Sequence, residues 1–281
     1  MAENTPKLRI KEFLRHTLKQ WLILEVIGMN ILAIGNSFSQ DATRYLHEIM
    51  QAGGVPGRVV NLYIGGCSLE RHWNNVRTDA ADYEYELNGQ FSGRMSSIRQ
   101  ALDEGGWDVI TLQQVSGLSG IENTYYPYID ELIDYVKARA PKARLMLHKT
   151  WAYEQDSTHA DFPNYDSDQR KMYDCICKAC DTVSKHTDLS IIPCGDAVQA
   201  ARAAEPFVYE NGGMSLCRDG FHMSLVYGRY LLGAVWYETL TGQSVLDNGY
   251  VPCAPLAPEG VAVDDKLLDV LRGAAHKICI C

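Results

Sequence analysis

Five short apolar runs punctuate the chain: Asn30–Gly35, Arg58–Ile64, Trp107–Gln113, Arg144–Thr150 and Leu189–Pro193. Between and after them lie longer segments with a helical pattern, namely Asp41–Ala52, Met95–Asp103, Tyr126–Arg139, Asp168–His186 and Leu225–Leu240. Strands that are apolar throughout and alternate with helices belong to a parallel sheet covered on both faces. The pattern predicts an α/β fold, a three-layer α/β/α sandwich around a central, mainly parallel five-stranded sheet. No repeat, low-complexity tract or linker interrupts it, so residues 29–281 read as one domain.

Two segments break the alternation. Arg71–Gly93 ("DAADYEYELNGQ" at its centre) and Trp151–Asp166 ("WAYEQDSTHADFPNY") are polar and aromatic and read as long loops. Both follow predicted strands, which places them at the carboxyl edge of the sheet, where open α/β folds bind ligands. The N-terminal stretch "KLRIKEFLRHTLKQWLILEVIG" is basic and then apolar, but it contains Glu25, lacks a small-residue cleavage site and runs directly into the first strand. Residues 1–28 therefore read as an appended extension outside the core. No run reaches the roughly 18 apolar residues of a membrane span, and the expectation is a soluble, cytoplasmic protein.

Charge and cysteines narrow the chemistry. A formal net charge of −9, with no cluster of basic residues among aromatics, argues against nucleic acid as a partner. Nine cysteines include Cys175, Cys177 and Cys180 on one predicted helix and Cys279 and Cys281 at the C-terminus. No CxxC pair recurs at zinc spacing, and this helical spacing does not converge on one ion, so reduced thiols rather than metal ligands are expected.

The first strand ends in "GNSFS", Gly35 to Ser39, and leads into a helix. Ser37 there can be a helix cap, part of a phosphate cradle or a nucleophile, and its own turn does not choose among them. Far downstream, "CRDGFHMSLVYGRYLLG" places Asp219 three residues before His222. That spacing lets a carboxylate hold the near nitrogen of an imidazole while the far nitrogen faces outward, as an oriented general base requires.

Gly35-Asn36-Ser37-Phe38-Ser39 resembles the first block of the SGNH, or GDSL-type, serine esterases, and Asp219-Gly220-Phe221-His222 resembles their last. The resemblance covers residues 29–245 and implies a flavodoxin-like three-layer fold with Ser37 as nucleophile, His222 as base and Asp219 as its orienting acid. It further implies an oxyanion hole. "IGGCSLERHW" is similar to the block that supplies a glycine amide, carried here to Gly66 with Gly65 beside it, next to the amide of Ser37. The block that usually supplies an asparagine has none: "WDVITLQQVSG" offers Gln114, with Gln113 as the alternate. Asn36 replaces the commoner aspartate.

The function so implied is hydrolysis of a small carboxylic ester through an acyl-enzyme, without metal or cofactor. Loop residues His72, Trp73, Tyr83, Tyr85, Tyr125, Trp151 and His159 suit a sugar ring, which makes an O-acetylated carbohydrate the expected substrate. Asn36, His72 and Trp151 are the expected substrate contacts. Three alternatives stay open: a flavodoxin-like phosphate or FMN binder, a ligand-binding protein on the esterase scaffold with weak or no catalysis, and a Cys67 nucleophile. The Gly-x-Ser-x-Gly elbow and the Gly-rich nucleotide loops are absent.

Overall fold

A computed structural model describes residues 28–252 and 263–280. Among them the sheet has seven strands: β1 (Ile31–Gly35), β2 (Val59–Tyr63), β3 (Tyr83–Leu87), β4 (Gln90–Ser96), β5 (Val109–Leu112), β6 (Arg144–His148) and β7 (Ser190–Ile192). Their spatial order is β4-β3-β2-β1-β5-β6-β7. The five predicted strands are all present and all parallel, with Ile31 beside both Val59 and Val109. Their apolar continuity has the expected cause, since every residue of β1 and of β5 is buried.

The sheet exceeds the predicted five strands because the segment read as a loop from Arg71 contains an antiparallel hairpin, β3 and β4, on the edge of β2. The Asn88-Gly89 turn, with both residues at positive φ, closes it. In β3 the buried tyrosines Tyr83 and Tyr85 alternate with Glu84 and Glu86.

Nine α-helices stand among the described residues: α1 (Ser37–Thr43), α2 (Leu46–Ala52), α3 (Leu69–Thr78), α4 (Ile98–Asp103), α5 (Tyr128–Arg139), α6 (Gln169–Thr187), α7 (Cys194–Arg202), α8 (Tyr227–Thr241) and α9 (Asp265–Cys279). The helix expected over Asp41–Ala52 thus begins at Ser37 and is broken around Arg44–Tyr45, and Met95 belongs to β4 rather than to the following helix. One packed group is α1, α2, α7, α8 and α9; another is α3, α4 and α5. Helix α8 is apolar nearly all round because it packs against four helices of its group, and twelve of its fifteen residues are buried. Apart from Gly28, the proposed N-terminal extension lies outside the described residues, as does Cys281. No described helix is long and apolar enough to cross a membrane.

Candidate active site

The site is assembled where β1 ends. Asn36, in extended conformation, is the N-cap of α1: its side chain accepts from the Phe38 amide, and Ser39 Oγ accepts in turn from the Asn36 amide. This capping box satisfies helix-end donors that would otherwise be orphaned. Ser37 is consequently not the cap, and its hydroxyl is released from that duty. Gly35 is required for close approach, because a Cβ there would lie 2.2 Å from Ser39 Oγ.

The second half comes from a tight loop. An antiparallel bridge between Cys217 and Met223, with Arg218 N donating to His222 O, folds residues 218–222 back on themselves. Gly220 has φ +84°, and a Cβ there would crowd Ser157, so a glycine fits where other residues would be strained. Asp219 Oδ1 accepts from the backbone amides of Phe221 and His222, which locks the carboxylate against its own loop.

The three residues converge. His222 Nδ1 lies 2.7 Å from Asp219 Oδ2, and His222 Nε2 lies 2.9 Å from Ser37 Oγ. A carboxylate only accepts, so Nδ1 carries the imidazole proton and Nε2 is left to accept from the serine hydroxyl. Partial burial acts to raise the Asp219 carboxyl, but the ring and backbone hydrogen bonds of His222 and the amide of Phe221 outweigh it and hold the group below the usual carboxylate range.

The loop is anchored to the serine helix itself. Asp41, one turn beyond Ser37 and fully buried, accepts from Met223 N at 2.9 Å, Arg218 Nη1 at 3.0 Å and Arg229 Nε at 2.7 Å. Trp151 ties in the remaining side, stacking on Phe38 at 4.1 Å and donating its Nε1 to Phe221 O.

A cavity of about 250 Å³ opens over Ser37, lined among others by Tyr63, Gly65, Gly66, Ser116, His159 and Phe221. Gly65 and Gly66 are exposed at its edge. Among the described residues, neither the Ser37 amide nor the Gly66 amide donates to another group.

Neither glutamine named as an expected oxyanion donor has a free side-chain amide. Gln114 is buried, its Oε1 accepting from Leu69 N and Val115 N and its Nε2 donating to Thr124. It clamps the start of α3, and with it the chain leaving Gly65-Gly66. Gln113 donates to Asn36 Oδ1 and accepts at 2.6 Å from His148 Nδ1, beneath the Ser37 turn. Both amides brace the loops around the cavity, and neither lines it.

The expected substrate contacts need a similar correction. Asn36 borders the cavity but is 1% exposed, its amide committed to Phe38, Gln113 and Cys67 O. His72 is fully buried beside Tyr83 Oη (2.8 Å) and Cys67 Sγ (3.4 Å), where burial pushes its imidazole down to about 3. Trp151 is buried as a loop support. Tyr83, Tyr85 and Tyr125 are core residues, and Trp73 packs edge-on to Tyr135. Of the seven aromatic and histidine residues named from the sequence, His159 lines the cavity. Cys67 is buried and its thiol is pushed up to about 12, which disfavours it as a nucleophile. Among the described residues no group of three or more His, Cys, Asp or Glu is placed to hold a metal ion.

Sequence reasoning missed Tyr63, Ser116 and Phe221 on the cavity wall and Asp41 as the tie. Asp41 sits four residues after Ser37, but its partners are 177 and more positions away, so nothing local announces it.

The fold is shared with solved hydrolase structures at low sequence identity. A candidate SGNH hydrolase from Slackia heliotrinireducens shares this fold at 20% identity, with a TM-score of 0.52 over 76% of this chain and 99% of its own. An α/β hydrolase enzyme from the metagenome of Lake Arreo, Spain, does so at 13% identity and a TM-score of 0.50, over 77% of this chain and 96% of that one. Within that fold the chain belongs to the family described as a domain of unknown function, DUF4886, whose model matches residues 30–277. A crystal structure of a DUF4886 family protein from Bacteroides uniformis is 38% identical, with a TM-score of 0.80 over 90% of this chain and 95% of that one. No curated protein matches the sequence.

Proposed function

We propose that this protein is a serine hydrolase that cleaves small carboxylic esters, with an O-acetylated carbohydrate as its substrate. The observation that carries the reading is the continuous line from Asp219 through His222 to Ser37 at the floor of an open cavity. As the Ser37 oxygen attacks the ester carbonyl, His222 Nε2 takes the hydroxyl proton and then delivers it to the leaving alcohol. Asp219 keeps the imidazole in the required tautomer and stabilises the imidazolium. The amides of Ser37 and Gly66 receive the developing oxyanion, and with both glutamines committed elsewhere the hole is a two-donor one. Water then repeats the sequence on the acyl-enzyme.

A cavity of about 250 Å³ suits a small acyl group. The ring of Phe221 and the polar tip of His159 offer a sugar both an apolar face and a hydrogen-bonding group. Hydrolysis of p-nitrophenyl acetate by the wild type, Ser37→Ala and His222→Ala tests the reading. Turnover that falls by about 10⁴-fold or more in both variants, with circular dichroism unchanged, supports it. Equal rates in all three proteins would reject it in favour of a binding role.

A further inference from the structure

The carboxyl edge of the sheet gives the cavity a direction. In the order β2-β1-β5-β6, the loop after β2 brings Gly65 and Gly66, β1 leads to Ser37, β5 to Ser116, and the loop after β6 brings His159. Gly66 and His159 therefore stand at opposite ends, with the nucleophile between them. Phe221 lies between the two imidazoles, its ring 4.6 Å from that of His159 and 4.2 Å from that of His222. The His159 end is thus the end of the base, where a leaving alcohol must lie to receive its proton.

His159 is held for one tautomer. Its Nδ1 accepts from the Asp161 amide at 3.1 Å, so a neutral ring carries its hydrogen on Nε2. Burial against Tyr153 and Phe221 lowers the imidazole below its ordinary value despite the opposing pull of Asp161, which keeps the ring neutral near pH 7. Its loop is fixed to the catalytic loop by Glu154 N donating to Gly220 O. Among the described residues Nε2 has no hydrogen-bond partner, yet it is not sealed from solvent and its ring lines the cavity. A donor that is oriented, neutral and unpaired at the leaving-group end has one evident use.

We propose that His159 is the specificity-determining residue for the alcohol half of the ester, its Nε2–H donating to an oxygen carried next to the ester linkage, as in a polyol or sugar. The assignment rests on the serine-hydrolase reading above and names what that site selects.

Two esters of nearly equal size separate the roles: 2-hydroxyethyl acetate, which carries that oxygen, and propyl acetate, which has a methyl group in its place. In wild type, kcat/KM for the hydroxyethyl ester should exceed that for the propyl ester by about tenfold, the worth of one hydrogen bond. His159→Phe keeps a ring against Tyr153 and Phe221 but has no donor, and should bring the ratio close to one. His159→Gln restores an N–H at similar reach and should recover part of the preference, which mere repair of packing would not do. An unchanged ratio in His159→Phe, or a parallel fall on both esters with the ratio kept, would overturn the assignment while leaving the hydrolase reading intact. Failure of the wild type to turn over either ester or p-nitrophenyl acetate would overturn the reading and this assignment together.

Discussion

Replacing Asp41 by asparagine removes one negative charge from the base of the serine helix and almost no volume. The carboxylate is fully buried, while the side chains of Arg218 and Arg229 are 29% and 15% exposed. Removing one partner of a buried ion pair costs about 3–5 kcal/mol, because the remaining charge is left uncompensated. Water reaches both guanidinium groups in part and screens them, which points to the low end, about 3 kcal/mol. That is less than the total stability of an ordinary domain, so Asp41→Asn should still fold. Its amide oxygen can still accept from Met223 N, but the loop carrying Asp219 and His222 loses its hold on two arginines. A displacement near 1 Å at His222 costs about a hundredfold in rate. Urea unfolding followed by tryptophan fluorescence reads the first quantity, and kcat/KM for p-nitrophenyl acetate on the folded variant reads the second. A stability change below about 1 kcal/mol, together with a rate within about threefold of wild type, would refute the view that Asp41 positions the base.

Two further outcomes follow from the buried amides and imidazoles. Gln114→Leu leaves the amides of Leu69 and Val115 without their acceptor and should cost about 3 kcal/mol in urea unfolding; full stability with a rate loss of about 10²–10³ would instead make Gln114 an oxyanion donor. His72 and His148 are both pushed down by burial to about 3. The unfolded chain takes up protons on them below the ordinary value of 6.5, whereas the folded chain resists until near 3. Their contribution is therefore complete above about pH 6.5 and lost as pH falls, by up to about 1.4 kcal/mol per pH unit for each histidine. The urea midpoint should drop steadily from pH 6.5 toward about 4.5, and a flat profile across that window would contradict the neutral buried state.

The five parallel strands, most of the helices that cover them, and the two blocks holding Ser37, Asp219 and His222 were legible in the sequence. Each is written in neighbouring residues: a strand's burial in its continuous apolar run, a hydrogen-bonded Asp–His pair in a three-residue spacing. The β3–β4 hairpin was not legible: its polar composition led to the reading of a loop, although Tyr and Glu alternate there ahead of Asn88-Gly89. What the residue types could not convey was direction. Gln113, Gln114, His72 and Trp151 have the right chemistry near the right strand ends, and tertiary packing turns all four inward to satisfy buried backbone groups, polar neighbours or aromatic rings. Asp41 shows the converse. An unremarkable helical aspartate gains its role from a loop about 180 residues away, because a buried carboxylate is stable only where the fold brings charges and amides to it. Sequence by itself determined the parallel strands and which residue types stand near their ends; only the tertiary structure decided which side chains face the cavity, since that depends on where each buried polar atom finds its partner.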